Sequence, residues 1–347
     1  MHERNLVLAC TLWLATMGSA TAAEPARDSI NIAGSSTVYP FAMAVGERFN
    51  KVTQLNPPQI QSIGTGAGLK LFCAGTGIET LDIATAVRSM KPAEKDMCEK
   101  NGVKDIAEIK FGTVATVVVQ SNAGARFANL TRKELFLAMA KDVPDPKDGA
   151  KLVPNPYKTW KDINPALPNT RIVMWIPAAM HGVHDIVFNQ IMLVGCKQID
   201  SMQTLTANDP KALETVCQSV RGDGAYVEFK EYEAAIKEIR ANPSALGIMS
   251  NTHFNQDSGL ITIPVDSYEP SATSVAHQVY PLTESLLLYV KKSNTNVVKG
   301  LKEYLAEFTS EQAIGTNQGY LGTMGMITLP LAERKQARTG VADLAKN

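Results

Sequence analysis

Neither sign of charge is in excess in this chain of 347 residues, because 34 Lys and Arg residues balance 34 Asp and Glu residues. The basic residues are scattered along the sequence. A protein that binds nucleic acid usually gathers them in a stripe on one face. The charge pattern therefore argues against a nucleic-acid partner.

Long apolar runs are lacking after the first two dozen residues, so no later segment predicts a membrane-spanning helix. The N-terminus has a charged start, the apolar run LVLACTLWLATMG and the small residues SATAA. This order is typical of a secretory signal peptide, and the run is shorter than the roughly 20 residues that a spanning helix needs. We therefore predict a cleaved signal peptide over residues 1–23 and a mature protein in the periplasm.

Cysteine is scarce, with five in the chain, and Cys10 lies in the predicted signal peptide. An even number of remaining cysteines in an exported protein indicates disulfides. Three pairings are open to four cysteines, and we predict the two local ones, Cys73–Cys98 and Cys196–Cys217. A metal site built from all four thiolates is the alternative, but the spacing lacks the C-x2-C pairs of zinc sites. We predict neither a metal nor another cofactor.

Signatures of catalysis are also lacking. The chain contains no G-x-S-x-G sequence of the kind that exposes a nucleophilic serine. Ser36 and His181 have no evident group to orient them beyond Asp185. We therefore expect a binding protein and not an enzyme.

What the sequence does contain is an alternation of predicted strands and helices. This alternation predicts an α/β fold with parallel sheets and helices on both faces. In such sheets ligands bind beyond the carboxyl ends of the strands. Three strand-to-helix turns there, AGSSTVYP (33–40), GTGAGL (64–69) and PAAMHGVHD (177–185), offer unpaired N–H groups and the positive ends of helix dipoles. Together they predict an anion-binding site.

Six segments, in order along the chain, carry a resemblance: GSSTVYPFA, GTGAG…FCAG…DIATAVR, DGAYVE, NPSALGIMS, YPLTESLLLYVKK and EFTSEQAIGTNQGYLGTMGMITLP. They resemble the periplasmic phosphate-binding proteins of Pst-type ABC transporters. The resemblance implies two Rossmann-like α/β lobes joined by a two-strand hinge, which close on a small ligand and deliver it, as a monomer, to an inner-membrane transporter. We expect residues 24–115 plus 266–347 to form lobe I and residues 116–265 to form lobe II.

The resemblance also implies a set of ligand contacts. The first two turns keep the family chemistry, with hydroxyls at Ser36, Thr37 and Thr65 and the N–H group of Val38. The predicted ligand-binding residues are Ser36, Thr37, Val38, Tyr39, Thr65, Gly66, Val87, Arg88, His181, Gly182, Val183, His184 and Glu284.

Several of these positions depart from the family. Val87 stands where the family has an Asp or Ser, and Glu284 stands where an arginine is common. The family sequence SGTRD reads HGVHD here, so that His181, Val183 and His184 replace a serine, a threonine and an arginine.

These substitutions matter energetically. A charge-assisted hydrogen bond contributes roughly 1.5–3 kcal/mol, so losing three or four removes about 5–10 kcal/mol, although such terms are not additive. A micromolar binder has only about 8 kcal/mol in total. We therefore expect tight phosphate binding to be lost.

Four interpretations of the HGVH stretch remain open, one of which is that its residues lie on the surface without a role. The substitutions favour a pocket rebuilt for a less anionic ligand, with Met180, Val183, Val87 and Tyr39 as its wall; such a protein would carry a neutral or amphipathic molecule, for example a lipid. A second interpretation is an oxyanion site that depends on protonated histidines. A third is a metal site at His181 and His184. A wide apolar cleft of several hundred cubic ångströms would support the first interpretation.

Overall fold

The computed structural model describes residues 27–206, 209–253, 259–316 and 319–344. The predicted signal peptide lies outside these residues. Among the helices of the described part, none combines the length and the apolarity needed to cross a bilayer.

Strands and helices alternate along much of the described chain. The strands are β1 (Asn31–Gly34), β2 (Gln59–Ser62), β3 (Ile83–Ala86), β4 (Ile106–Ser121), β5 (Asp142–Pro144), β6 (Leu152–Pro154), β7 (Met174–Pro177), β8 (Tyr226–Phe229), β9 (Leu246–Ser250), β10 (Leu260–Ile263) and β11 (Thr283–Lys291).

The helices are α1 (Tyr39–Thr53), α2 (Thr65–Phe72), α3 (Pro92–Lys100), α4 (Arg132–Met139), α5 (Trp160–Ile163), α6 (Gly182–Ile186), α7 (Leu193–Lys197), α8 (Asp200–Leu205), α9 (Pro210–Cys217), α10 (Tyr232–Ala241), α11 (Ala272–Ala276), α12 (Leu301–Phe308), α13 (Glu311–Ile314) and α14 (Leu331–Leu344). A wider-turn segment, Val187–Met192, joins α6 to α7 without a break.

The main sheet is mixed, where the sequence predicts parallel strands. Its order is β2-β1-β3-β11-β4-β9-β7-β8, and β10 also pairs with β4. The outer strands follow the prediction, since β1 is parallel to β2 and β3, and β7 is parallel to β8 and β9. The central strands β4 and β11 are antiparallel to each other. They carry the chain in opposite directions between the two halves of the molecule, which is why they cannot be parallel.

Strand β4 belongs to both halves of the sheet. Its first part, Ile106–Ala115, pairs with β11, and its second part, Thr116–Gln120, pairs with β9. Every residue from Phe111 to Ser121 is buried, as the apolar run TVATVVVQS predicts. The chain therefore passes from one half to the other at Ala115–Thr116, inside a continuous buried strand.

Two large apolar cores flank this strand. One draws its buried residues from the chain between Ala115 and Leu282. The other draws them from two separate stretches, Ile30–Val114 and Leu286–Leu344. The two cores meet between Val114 and Ala115, next to the predicted first boundary. Val275, Tyr280 and Leu282, which the sequence assigns to lobe I, pack in the first of these cores. The bounds of the two lobes stay a prediction.

Some local patterns in the sequence predict the structure correctly and others do not. The capping box of Thr131 and Glu134 is present, with the Glu134 N–H group donating to the Thr131 hydroxyl at 3.1 Å. The stretch 141–168, which the sequence suggests is a long loop, instead contains the β5–β6 hairpin and α5. Two of its prolines, Pro144 and Pro154, are the last residues of β5 and β6, which are both edge strands, where a missing N–H group is tolerated.

Both predicted disulfides are confirmed. Cys73–Cys98 joins the end of α2 to α3, and Cys196–Cys217 joins α7 to α9. All four half-cystines are almost fully buried.

Candidate ligand-binding site

The three anion turns of the sequence lie where β1, β2 and β7 end and α1, α2 and α6 begin. Gly34 and Gly68 let the first two turns approach closely. A Cβ atom on Gly68 would lie 2.5 Å from Gly34 Cα, and one on Gly34 would lie 2.1 Å from the Thr85 carbonyl oxygen. Side chains at these two positions would push the turns apart, so glycine there fixes the geometry of the site.

The first and third turns touch each other across the two halves of the molecule. The Gly182 N–H group donates to the Ser36 hydroxyl at 3.2 Å. A Cβ atom on Gly182 would lie 3.2 Å from Thr37 Oγ1, so a larger residue would crowd this contact.

Two cavities meet at this contact, and both are lined by Ser36, His181 and Gly182. We call the smaller one, of about 210 Å³, the small pocket. It is lined by Ser36, Thr37, Pro40, Phe41, His181, Gly182, Val183, Tyr232, Ser250, Thr252, His253 and Met324. We call the larger one, of about 770 Å³, the wide cleft. It is lined by Ser35, Ser36, Ser62, Ile63, Gly64, Thr65, Gly66, Val87, Arg88, Lys91, Ala179, Met180, His181, Gly182, Asp185, Ile186, Asn189 and Gln190.

Hydroxyls and imidazoles dominate the chemistry of the small pocket. His253 stacks on the Tyr232 ring, with the centroids 3.8 Å apart and the planes 10° from parallel. His181 meets the same ring edge-on at 4.9 Å, and its Nε2 atom lies 2.8 Å from the Lys230 carbonyl oxygen. That distance fits an imidazole N–H donor, which a neutral or a protonated ring can supply.

The two imidazoles influence each other. The pKa of His253 is lowered, first because the stacked ring is shielded from water and second because His181 is near. Burial also raises the pKa of the Tyr232 hydroxyl, and the charge of Glu284 adds to the effect. An anion in this pocket would favour the protonated form of His253.

The second turn and the strand β3 form one wall of the wide cleft. The Val87 N–H group donates to Thr65 Oγ1 at 3.3 Å. Because the Thr65 oxygen accepts that bond, its hydrogen can be donated into the cleft. Arg88 lines the same wall, but its two terminal nitrogens donate to the two carboxylate oxygens of Glu94, each at 2.8 Å. Its charge is therefore shared with a protein carboxylate.

The two histidines of the HGVH stretch lie in different surroundings. His181 faces both cavities, whereas His184 lines neither and stacks on Phe188 with the centroids 4.4 Å apart. Burial lowers the pKa of His184. It does not take the place of the family arginine in either cavity. The described residues also contain no group of three or more His, Cys, Asp or Glu side chains arranged to hold a metal ion.

Glu284 lies under the site and outside both cavities, in the strand that returns the chain from one half to the other. Its side chain is buried, and the Thr116 hydroxyl donates to its Oε1 atom at 2.8 Å. Its Oε2 atom is buried and has no hydrogen-bond partner. Burial, together with the nearby charge of Asp185, raises the pKa of this carboxyl to about 7.

The first turn offers fewer groups for ligand contact than the sequence predicts. Val38 is fully buried in a core, and the N–H groups of Thr37 and Val38 both point to Ser35 Oγ, at 3.2 and 3.4 Å. Tyr39 starts α1 and lines neither cavity. Val183 lines the small pocket, and Thr65, Gly66, Val87 and Arg88 line the wide cleft.

Sequence reasoning missed seven residues of the small pocket: Pro40, Phe41, Tyr232, Ser250, Thr252, His253 and Met324. The first two lie in the first turn of α1, the next four lie at or after the ends of β8 and β9, and Met324 lies in the segment near the C-terminus. A signal that could have found Ser250 and its neighbours is the segment NPSALGIMS, because Ser250 is the last residue of a buried strand.

Comparison with known proteins finds relatives that match most of the length of this chain. The Protein SphX of Synechocystis sp. is 28% identical over 306 residues, which cover 87% of this chain and 81% of that protein. The phosphate-binding protein PstS of Staphylococcus saprophyticus is 22% identical over 90% of this chain and 83% of its own length.

Solved structures show the same fold. A possible phosphate-binding protein from Planctomyces limnophilus superposes with a TM-score of 0.66 at 20% identity, covering 92% of this chain and 99% of that one. The two halves described above are thus the two lobes of this fold. The model of the PBP superfamily domain matches residues 19–312, and the chain therefore belongs to the PBP superfamily.

Proposed function

We propose that this protein is a periplasmic solute-binding protein that captures a ligand carrying an oxyanion group of the phosphate class and delivers it to an ABC-type transporter in the inner membrane. The relatives named as phosphate-binding proteins support the ligand class. Their names describe binding, which agrees with the absence of a catalytic signature in the sequence.

The observation that carries the proposal is the hydrogen bond between the Gly182 N–H group and the Ser36 hydroxyl. This hydrogen bond joins the start of α6 in one lobe to the turn before α1 in the other lobe. It lies where the small pocket and the wide cleft meet. An oxyanion at this point would replace Ser36 as the acceptor from Gly182. Ser36 and Thr65 would then donate their hydroxyl hydrogens. Because Nε2 of His181 faces the Lys230 carbonyl oxygen, the imidazolium form of His181 would supply the N–H group of its other ring nitrogen.

The alternative of a carrier for an apolar molecule or a lipid gains no support from the site. The small pocket is lined largely by hydroxyl and imidazole groups, and the wide cleft contains Arg88, Lys91, Asp185, Asn189 and Gln190. Apolar side chains such as Met180 and Ile63 also line the wide cleft. A lipid chain there would take the charged and hydrogen-bonding groups out of water without giving them partners, which is costly.

Thermal unfolding with increasing phosphate, at constant ionic strength and pH 6, tests the proposal. A ligand that binds only the folded protein stabilises it by RT ln(1 + [L]/Kd), so the midpoint temperature rises with concentration. We expect phosphate to raise it and Ser36→Ala to reduce the rise. Ser244→Ala, in the turn after α10 and outside both cavities, is the matched control and should respond like the wild type.

No stabilisation by phosphate or sulfate up to tens of millimolar would overturn the proposed ligand class. If Ser36→Ala and Ser244→Ala reduce the phosphate-induced rise in midpoint temperature equally, the anion does not bind at Ser36.

A further inference from the structure

The wide cleft is larger than an inorganic oxyanion needs. Its volume of about 770 Å³ falls in the range of roughly 300–1,000 Å³ that is typical of pockets for organic ligands. It opens directly onto the small pocket, because Ser36, His181 and Gly182 line both. A group bound at the Ser36–Gly182 contact could thus extend into the cleft without leaving the site.

Apolar side chains are exposed to this space from both lobes. Met180, in the third turn, is 66% exposed, and Ile63, just before the second turn, is 38% exposed. Both rank among the most exposed large apolar side chains of the described chain, and both line the wide cleft. Val87 and Ile186 line it as well. An organic group between the lobes would cover apolar surface that is otherwise left in water.

The charged residues of the cleft balance one another. Arg88 is held by Glu94 in a two-bond ion pair, and Asp185 on the opposite lobe offsets the charge of Lys91. Ser62, Asn189 and Gln190 are neutral hydrogen-bonding groups. This lining suits a neutral organic substituent that carries hydroxyl or carbonyl groups.

From these features we infer that the ligand is an organic phosphate, a monoester or a phosphonate, whose phosphate group binds at the Ser36–Gly182 contact and whose organic substituent lies in the wide cleft against Met180 and Ile63. This inference rests on the proposed function, because it assigns the phosphate group to the site argued above. It adds that the substituent contributes binding energy.

Isothermal titration of the ligand-free protein with inorganic phosphate, phenyl phosphate and phenol, at one pH, tests the inference. We expect phenyl phosphate to bind at least about tenfold more tightly than inorganic phosphate, because burial of an aromatic ring against apolar side chains contributes more than 1.4 kcal/mol. Phenol should not compete with phosphate, since it lacks the anionic group.

Variants of Met180 localise the substituent. Met180→Ser should lower the ratio of phenyl phosphate affinity to phosphate affinity by about threefold, since a thioether side chain that covers the ring is removed. Met180→Leu keeps an apolar side chain of similar size and should keep the ratio. Val279→Ser changes an apolar residue that is 50% exposed outside both cavities and is the second control.

The outcomes separate the inference from the function on which it rests. Equal affinities for phosphate and phenyl phosphate, or weaker binding of the ester, would overturn the inference and leave the proposed function standing. An unchanged ratio in Met180→Ser would also overturn it. Failure of both anions to bind would overturn the proposed function and the inference together.

Discussion

Glu284 illustrates how one buried group sets the pH dependence of stability. The pKa of its carboxyl rises from 4.5 to about 7 on folding, because burial disfavours the charged form. Between these values the folded protein holds the proton more tightly than the unfolded chain does. The free energy of unfolding therefore falls as the pH rises through this window, and above pH 7 the whole penalty is present.

Replacing Glu284 by Gln should remove this penalty. The amide oxygen can still accept the hydrogen bond from Thr116, and no charge is buried. We expect Glu284→Gln to be more stable than the wild type at pH 8 by up to roughly 3 kcal/mol, and to show little difference near pH 4.5. Urea unfolding at the two pH values measures the effect.

Glu303→Gln, at an exposed position of α12, is the control and should change stability little at either pH. A Glu284→Gln variant that is less stable than the wild type at pH 8 would show that the carboxylate is stabilised by a partner.

The histidines of the small pocket predict a second pH effect, this time on binding. A protonated imidazole stabilises an anion and a neutral one does so less, so oxyanion affinity should rise as the pH falls from about 8 to about 5.5. Because the pKa of His253 is lowered by burial, its part of the gain should come at the acid end of this range. Sulfate is the best probe, because its own charge does not change in this range. We expect a gain of about tenfold by isothermal titration.

Variants distinguish the three histidines. His181→Gln and His253→Gln should each reduce the gain, because both rings line the small pocket. His184→Gln should keep it, since His184 stacks on Phe188 outside both cavities. A sulfate affinity that is constant or falls on acidification would instead favour the apolar pocket that the substitutions alone suggest.

At the residue scale the sequence predicts which residues form the site better than it predicts where their side chains point. Ser36, His181 and Gly182 meet as expected from their turns, but His184, one helical turn later, faces a different neighbour. Which side of a short helix faces the cleft depends on packing, here of His184 against Phe188, and the spacing of two histidines does not encode it. Glu284 is likewise identified by its position in a motif, while its burial follows from the pairing of β11 with β4.

At the scale of the element, the two disulfides act on loops of similar length. Their cysteines are 25 and 21 residues apart, and a closed loop of this size stabilises a protein by about 3 kcal/mol through the entropy of the unfolded chain. Both bonds join helices that lie outside the crossing strands.

Replacing Cys196 and Cys217 together by Ser should therefore lower the free energy of unfolding by about 3 kcal/mol. Hydrogen exchange should quicken in α7 to α9, while phosphate binding persists, because neither cysteine lines a cavity. Urea unfolding and exchange followed by mass spectrometry measure the two effects. Loss of phosphate binding in a variant that is still folded would show that this disulfide positions the third turn.

Helices and outer strands were largely predictable from local patterns, whereas the pairing of the central strands was not. A capping box, a proline at a helix start or a β-branched run acts within a few residues. The antiparallel arrangement of β4 and β11 joins residues more than 160 positions apart, such as Ala115 and Thr283. The alternating order of strands and helices along the chain is typical of a parallel sheet. Only the path of the chain between the lobes shows that β4 and β11 are antiparallel.

At the scale of the whole molecule, the balance of charges in the cleft predicts weak binding of free phosphate. The family's serine, threonine and arginine are replaced by His181, Val183 and His184, Val87 replaces an Asp or Ser, and Arg88 is paired with Glu94. A loss of only about 4 kcal/mol converts a micromolar site into a millimolar one. We expect a dissociation constant for inorganic phosphate at or above the millimolar range at pH 7.5, measured on ligand-free protein.

A micromolar or tighter constant under those conditions would contradict this prediction and would mean that the histidines fully replace the lost contacts. The double variant His181→Ser with Val183→Thr restores two of the family's hydroxyls and should bind phosphate more tightly than the wild type. His184→Arg alone should not, because its side chain starts from a position outside both cavities.

The division of the two cores along the chain also sets the order of assembly as the chain is made. One lobe takes its core from a single stretch, Ala115–Leu282, and can fold once that stretch has emerged. The other needs Ile30–Val114 together with Leu286–Leu344, which emerges last. Since domains fold as units during vectorial synthesis, the first segment to emerge must wait, with β3 unpaired on one edge, for the final sixth of the chain. A chaperone would meet this protein as a folded lobe joined to an exposed three-stranded edge.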